Sequence, residues 1–227
     1  MSISLNHYIL NLLSGGKIIS ISGESGTGKT TLAMFLVGEI LTSKFSGSCV
    51  WISASERFPK NRLNSMYTGK KREYLLSNIY VTPLCISYDD QFALLTKIAS
   101  ETYIFPLDIR FVVIDNISHH LRFYISTIED VGKRFLILDA FYDALLFPLF
   151  VKCQREKIDL LLLHEVSFNF KAQKNLPFFH KLYDRIKGVN ISLHKSPTTK
   201  ERDLTIHLDN HILTVPFKIQ EKGFEFS

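Results

Sequence analysis

Cysteine is scarce in this chain of 227 residues: three, Cys49, Cys85 and Cys153, stand far apart among apolar neighbours. With no pairing pattern a disulfide framework is excluded, and each thiol reads as a small buried hydrophobe. A secretory leader is also missing. Met1 to Leu13 is apolar but has neither a basic start nor a small-residue cleavage site. Both absences point to a reducing cytoplasm. No uncharged apolar run is long enough to span a bilayer, which excludes a membrane-embedded class. Internal repeats, low-complexity tracts and linkers rich in Pro, Gly or Ser are lacking too. The length therefore reads as one domain over 1–227, large enough to hold a core without disulfides or a structural metal.

What is present is ordinary in bulk and informative in order. Hydrophobic residues make up 46% and charged residues 22%, as in soluble globular proteins, and disorder is excluded. The net charge of +5 is compatible with a polyanionic partner and does not demand one. A strand-then-helix alternation recurs. Lys17 to Ser22 (KIISIS) is a β-branched run ending at Gly23, and Lys29 to Leu41 follows as a helix with Leu32, Phe35, Leu36, Ile40 and Leu41 on one face. Cys49 to Ala54, Phe111 to Ile114 and Asp159 to Leu163 are further apolar strands, the last apolar on both faces as in a covered parallel sheet. Lys133 to Lys157 has helical spacing that Pro148 should bend or split. Beyond Asp184, Val189 to His194, Leu204 to Leu208 and Ile212 to Phe217 alternate apolar and polar residues, with a tight turn expected at Asp209-Asn210. The pattern predicts an α/β fold whose mostly parallel sheet continues into antiparallel C-terminal strands.

Gly23-Glu24-Ser25-Gly26-Thr27-Gly28-Lys29-Thr30 fits G-x-x-x-x-G-K-[ST] at every fixed position. A strand feeds it and a helix leaves it, the context a phosphate-binding loop requires. Glycines let several backbone N–H groups turn inward on a phosphate, with the helix N-terminus behind them. On this reading Gly23 to Thr31 bind ATP, Lys29 reaches the β- and γ-phosphates, and Thr30 places its hydroxyl on Mg²⁺. Asp115 closes an apolar strand where a second carboxylate is needed for the same ion. An Asp there can also cap a helix before Asn116 and Ser118. Glu56, just past the CVWISA strand, can polarise the water that attacks the γ-phosphate. It could equally be a solvated carboxylate beside Arg57.

At these residues the chain resembles archaeal RecA-family recombinase paralogues of the RadB type, with KaiC-like ATPases next nearest. Ser4-Leu5-Asn6 through Leu13 and Ser14-Gly15-Gly16-Lys17-Ile18 are similar to that family's lead-in to its nucleotide loop. Trp51 to Arg57 with Phe58-Pro59 and Arg62-Leu63 resembles the segment carrying the catalytic glutamate, which falls on Glu56. Arg110 to Asp115 resembles the Walker B strand, with Asn116 where Ser or Thr is usual. Glu221 to Glu225 is similar to the terminal hairpin, and Ser196-Pro197 to a segment that caps ATP in a neighbouring subunit. The resemblance implies a RecA-type P-loop fold and a weak ATPase that assists recombination and repair. Its implied partners are DNA, preferably single-stranded, a recombinase or other repair protein, and further copies of itself, with no membrane.

Two departures qualify this. The core begins by Lys17, without the helical DNA-binding domain of strand-exchanging recombinases, which predicts an accessory role. The polar pair after the fourth strand normally ends in Gln and is here His164-Glu165. A Glu repels phosphate unless it faces Mg²⁺, a cation or water, so coupling of hydrolysis to DNA should be weakened.

The remaining signals divide unevenly. His119-His120 point apart on a helix, and His164-Glu165 lacks the second His of a zinc motif, so neither reads as a metal site. Ser167 to His180 interleaves Phe168, Phe170, Phe178 and Phe179 with Lys171 and Lys174 in an expected loop, a combination suited to single-stranded DNA. Phe170, Lys171 and Lys174 are the candidate contacts. The same rings could instead tuck into the core. A signalling or assembly ATPase of KaiC type, without a DNA role, is the competing function. A small-molecule kinase would need an Arg-rich lid, which the sequence does not offer.

Overall fold

The computed structural model describes residues 15–195, 202–208 and 211–226. Within them a sheet of ten strands carries helices on both faces. Its spine is β1 (Ile18–Gly23), β5 (Asp159–Asn169), β4 (Ile109–Asp115), β2 (Ser48–Ser53) and β3 (Ile79–Val81), side by side in that order and all parallel. On the other flank of β1 runs β7 (Val189–Lys195), also parallel to it, and then β8 (Arg202–Leu208), β9 (His211–Gln220) and β10 (Gly223–Phe226), each antiparallel to its predecessor. The expected mixture of parallel core and antiparallel C-terminal strands is what the chain adopts. One boundary moves: β7 belongs by direction to the parallel part.

Two cores result, one on each face, because alternate residues of a covered strand point to opposite sides. Ile19 and Ile21 of β1, with Leu161 and Leu163 of β5, meet α1 (Lys29–Lys44) through Leu32, Leu36, Val37 and Leu41. Ile18, Leu160 and Leu162 turn the other way. They meet α4 (Tyr88–Ala99), α5 (His119–Ser126), α6 (Val131–Phe141) and α7 (Phe147–Arg155). Short helices α2 (Lys60–Met66) and α3 (Gly69–Asn78) join β2 to β3. The three cysteines are free and buried, as their apolar surroundings imply. Asp159, buried at the start of β5, accepts the backbone N–H groups of Gly15 at 3.0 Å and Lys17 at 2.9 Å and so sets the entry into β1.

The interruption expected at Pro148 is present. Five residues, Tyr142–Leu146, form a π segment between α6 and α7, and the proline sits in the first turn of α7. Ser167 to His180, expected as a loop, is instead a hairpin: β5 runs on to Asn169 and pairs antiparallel with β6 (Lys174–Pro177), followed by the short helix α8 (His180–Tyr183). The N-terminal lead-in as far as Ser14, the Asp209-Asn210 turn and Ser196-Pro197 lie outside the described residues.

Candidate nucleotide site

The parallel strands end together, so Gly23, Ser53, Asp115 and Glu165 converge at one edge of the sheet. Glu165 is the register partner of Gly23, and Asp115 of Ser53. Strands consecutive in sequence separate here, since β1 lies beside β5 and β7 rather than β2. Ligands of open α/β sheets bind outside the strand carboxyl ends at such a point. A cleft of about 530 Å³ opens there. Ser25, Gly26, Gly28, Lys29, Thr30 and Thr31 line one side of it, and Glu56, Asp115 and Glu165 the other.

The phosphate loop has the backbone its glycines allow. Gly28, which precedes α1, has φ of 104°, and a side chain there would also collide with Ile219 of β9. At Gly23 a Cβ would stand 2.6 Å from Thr27 Oγ1 and 2.7 Å from the Leu193 carbonyl, so the strand end tolerates none. Thr27 is buried and donates its hydroxyl to the Glu24 carbonyl at 2.9 Å, tying the loop across its base. Gly23, Glu24 and Thr27 thus shape the loop, while the residues after them face the cleft.

Lys29 donates to the carbonyls of Gly23 and Glu24, each at 2.9 Å. An ammonium has three donors, and two are used, which leaves one for an incoming phosphate. Burial pulls Lys29 below its ordinary value, opposed first by the charge of Glu165 and then by Asp115. Thr30 Oγ1 donates to Asp115 Oδ2 at 2.8 Å. Burial pushes the Asp115 carboxyl up to about 6, against the Thr30 hydrogen bond and the Lys29 charge. A hydroxyl and a carboxylate in contact, both oxygen donors, fit a hard divalent cation such as Mg²⁺. The peptide between Asp115 and Asn116 is cis. Asn116 is buried, and its side-chain oxygen accepts from the Ser118 N–H at 3.0 Å and from the Ser118 hydroxyl at 3.1 Å. Glu56 is exposed at the cleft, where its charge adds to the upward push on Asp115.

Several residues of the site carried no sequence signal. Arg122 Nη1 on α5 reaches Glu165 Oε2 at 2.9 Å, so the unusual glutamate faces a cation. Arg202 on β8 lines the cleft and donates to the Thr27 carbonyl at 3.3 Å, and Lys195 on β7 donates to the Ser25 carbonyl at 2.9 Å. Arg62, also in the cleft lining, donates to the carbonyls of Gln220 and Glu221. Its place within the Trp51–Leu63 segment was the one available hint.

The candidate DNA contacts stand apart from the cleft. Phe170 is 80% exposed and Phe168 49%, their rings edge to face at the hairpin tip, with Lys171 and Lys174 exposed beside them. Phe178 and Phe179 are turned inward, correcting their grouping with the exposed rings. Phe178 lies under the Arg122 guanidinium at 4.6 Å, and Phe179 packs on the core. Asn175 of β6 donates to Glu24 Oε1 of the phosphate loop at 2.7 Å, a direct link from hairpin to loop. His119 and His120, expected to point apart, instead meet edge to face, and His120 Nε2 sits 3.0 Å from the Cys85 carbonyl. Among the described residues no cluster of His, Cys, Asp and Glu is suited to a metal, and no helix is long and apolar enough to cross a membrane.

Comparison with known proteins bears on the fold and the family. No curated protein matches the chain. Among solved structures, the crystal structure of the RadB recombinase superposes with a TM-score of 0.72 at 21% identity, covering 94% of this chain and 91% of that one. That likeness shows a shared RecA-type fold. A family model described as an AAA domain matches residues 3–145, which include the phosphate loop and the Asp115 strand, and the chain therefore belongs to the AAA domain family.

Proposed function

We propose that this protein binds ATP with Mg²⁺, hydrolyses it slowly, and assists homologous recombination and DNA repair as a partner of DNA and of a recombinase. The contact of Thr30 with Asp115 beside Lys29, at the mouth of a complete phosphate loop, carries the reading. The backbone N–H groups of the loop and the N-terminus of α1 receive the phosphates, and Lys29 spends its remaining donor on them. Thr30 and Asp115 would hold Mg²⁺, and the ion would supply positive charge to offset that of the phosphates. Glu56 orients a water and takes its proton as the oxygen attacks the γ-phosphorus. The bond from that phosphorus to the β-phosphate oxygen breaks, leaving ADP and phosphate. The exposed hairpin supplies the DNA surface through Phe170, Lys171 and Lys174, by stacking and phosphate attraction.

The fold shared with a RadB recombinase and the basic, aromatic hairpin support the DNA part of the reading. Its test is phosphate release by the purified protein with ATP and Mg²⁺, with and without single-stranded DNA. Slow release that DNA accelerates is the expected result. ATP binding with no DNA binding and no stimulation contradicts the DNA role and favours a signalling or assembly ATPase of KaiC type.

A further inference from the structure

Glu165 is the carboxylate that the phosphate site should least tolerate, and the structure pairs it with a cation. It lies across from Gly23 at the foot of the loop and lines the cleft. Among the carboxylates that raise the Lys29 pKa it comes first, ahead of Asp115 and Glu24. On its other side Arg122 Nη1 stands 2.9 Å away. Arg122 is itself fixed: its guanidinium lies 4.6 Å from the ring centres of both Phe123 and Phe178. The N–H of Phe178 in turn donates to the Glu165 carbonyl at 3.1 Å, so the arginine's aromatic support and its carboxylate partner face each other across one hydrogen-bonded hairpin.

Without nucleotide, then, Glu165 is the foremost of three carboxylates, with Asp115 and Glu24, whose charge acts on Lys29. When a triphosphate arrives, Lys29 turns its attraction to phosphate, and the carboxylate is left beside a like charge. We propose that Arg122 is a positioning residue for the terminal phosphate: it holds and neutralises Glu165, making the γ-phosphate position habitable. This rests on the nucleotide reading above and deepens it. ADP places no charge at that position, so the contribution of Arg122 belongs to the triphosphate alone. A general loss of structure would weaken both nucleotides alike.

The test is calorimetric binding of ATP (as a non-hydrolysable analogue) and of ADP, both with Mg²⁺, to the parent, Arg122→Gln, Glu165→Gln and the double variant. Arg122→Gln should lose about tenfold or more in triphosphate affinity, the scale of one unscreened like charge close by, while ADP stays within about threefold. The double variant should recover the triphosphate to within about threefold of the parent, since no carboxylate remains to repel it. Glu165→Gln alone leaves Arg122 unpaired near the cleft and should raise the preference for triphosphate over ADP by several-fold. It serves as the decisive arm if melting curves show Arg122→Gln unfolded. An equal loss of both nucleotides in Arg122→Gln, no rescue in the double variant, or an unchanged preference in Glu165→Gln overturns the proposal. A parent that binds neither nucleotide refutes the nucleotide reading beneath it.

Discussion

The hairpin yields the most quantitative prediction about function. Lys171 and Lys174 are exposed at its turn, held in shape by Asn169 Oδ1, which accepts the N–H groups of Lys171 and Ala172 at 3.0 Å each. If they contact phosphates as proposed, replacing both lysines with alanine should remove two such contacts and leave the turn's own hydrogen bonds intact. Each contact on a single strand contributes about 0.7 to the salt slope, so the double variant should flatten the slope by about 1.4. Between about 50 and 200 mM salt the parent should therefore lose roughly sevenfold more affinity than the variant. Phe170 offers an independent arm. At 80% exposure it has little packing to lose, so Phe170→Ala should leave stability within about 0.5 kcal/mol while costing roughly 1–3 kcal/mol of DNA binding. Phe178→Ala should do the reverse. Its ring supports Arg122, and its loss should cost roughly 1–2 kcal/mol of stability. Fluorescence anisotropy with labelled single-stranded DNA across salt, paired with denaturant melts, reads all of these. An unchanged slope in the lysine variant, or a binding loss in Phe170→Ala matched by lost stability, refutes DNA contact at the hairpin.

Two further outcomes follow from the site and the core. Glu56→Gln should keep ATP affinity and slow hydrolysis on the order of a hundredfold, as loss of a catalytic base does; phosphate release at the parent rate would make Glu56 a bystander. His164 is fully buried with both ring nitrogens unpartnered, and burial lowers it from 6.5 to about 3. The folded chain keeps it neutral while the unfolded chain protonates, so its stability contribution is complete above about 6.5 and falls as pH drops toward about 3. At pH 5 the loss is about 2 kcal/mol, and His164→Leu should abolish it; equal pH dependence in denaturant melts of parent and variant would contradict this.

How far the site was legible depends on how local each part is. The phosphate loop is consecutive residues whose geometry is set by its own glycines, and Asp115 is marked by the end of an apolar strand. Both stand where the motif placed them. Arg122, Asn175 and Arg202 meet their partners across 43, 151 and 175 residues, and nothing in their own neighbourhoods announces the contact. Glu165 read as an anomaly because its arginine could not be seen. In the fold, Lys174–Pro177 (KNLP) has no β-branched residue and ends in proline, so it carries no strand signal; pairing with β5 makes it one. The alternation of Val189 to His194 shows a half-covered face but cannot give direction, and β7 proved parallel to β1. The buried Lys152, whose Nζ donates to the carbonyls of Ile98 in the last turn of α4 and of Ser100 and Tyr103 just after it, looks in sequence like any surface lysine of a helix.

On the proposed reading, the loop from Gly23 to Thr31 holds ATP through Lys29. Calorimetry of ATP with Mg²⁺ against the parent and Lys29→Ala, with circular dichroism on both, tests it most directly. Loss of a charged donor to the phosphates should weaken ATP by about a hundredfold or more with the fold intact. Unchanged affinity in a folded Lys29→Ala protein would contradict the claim.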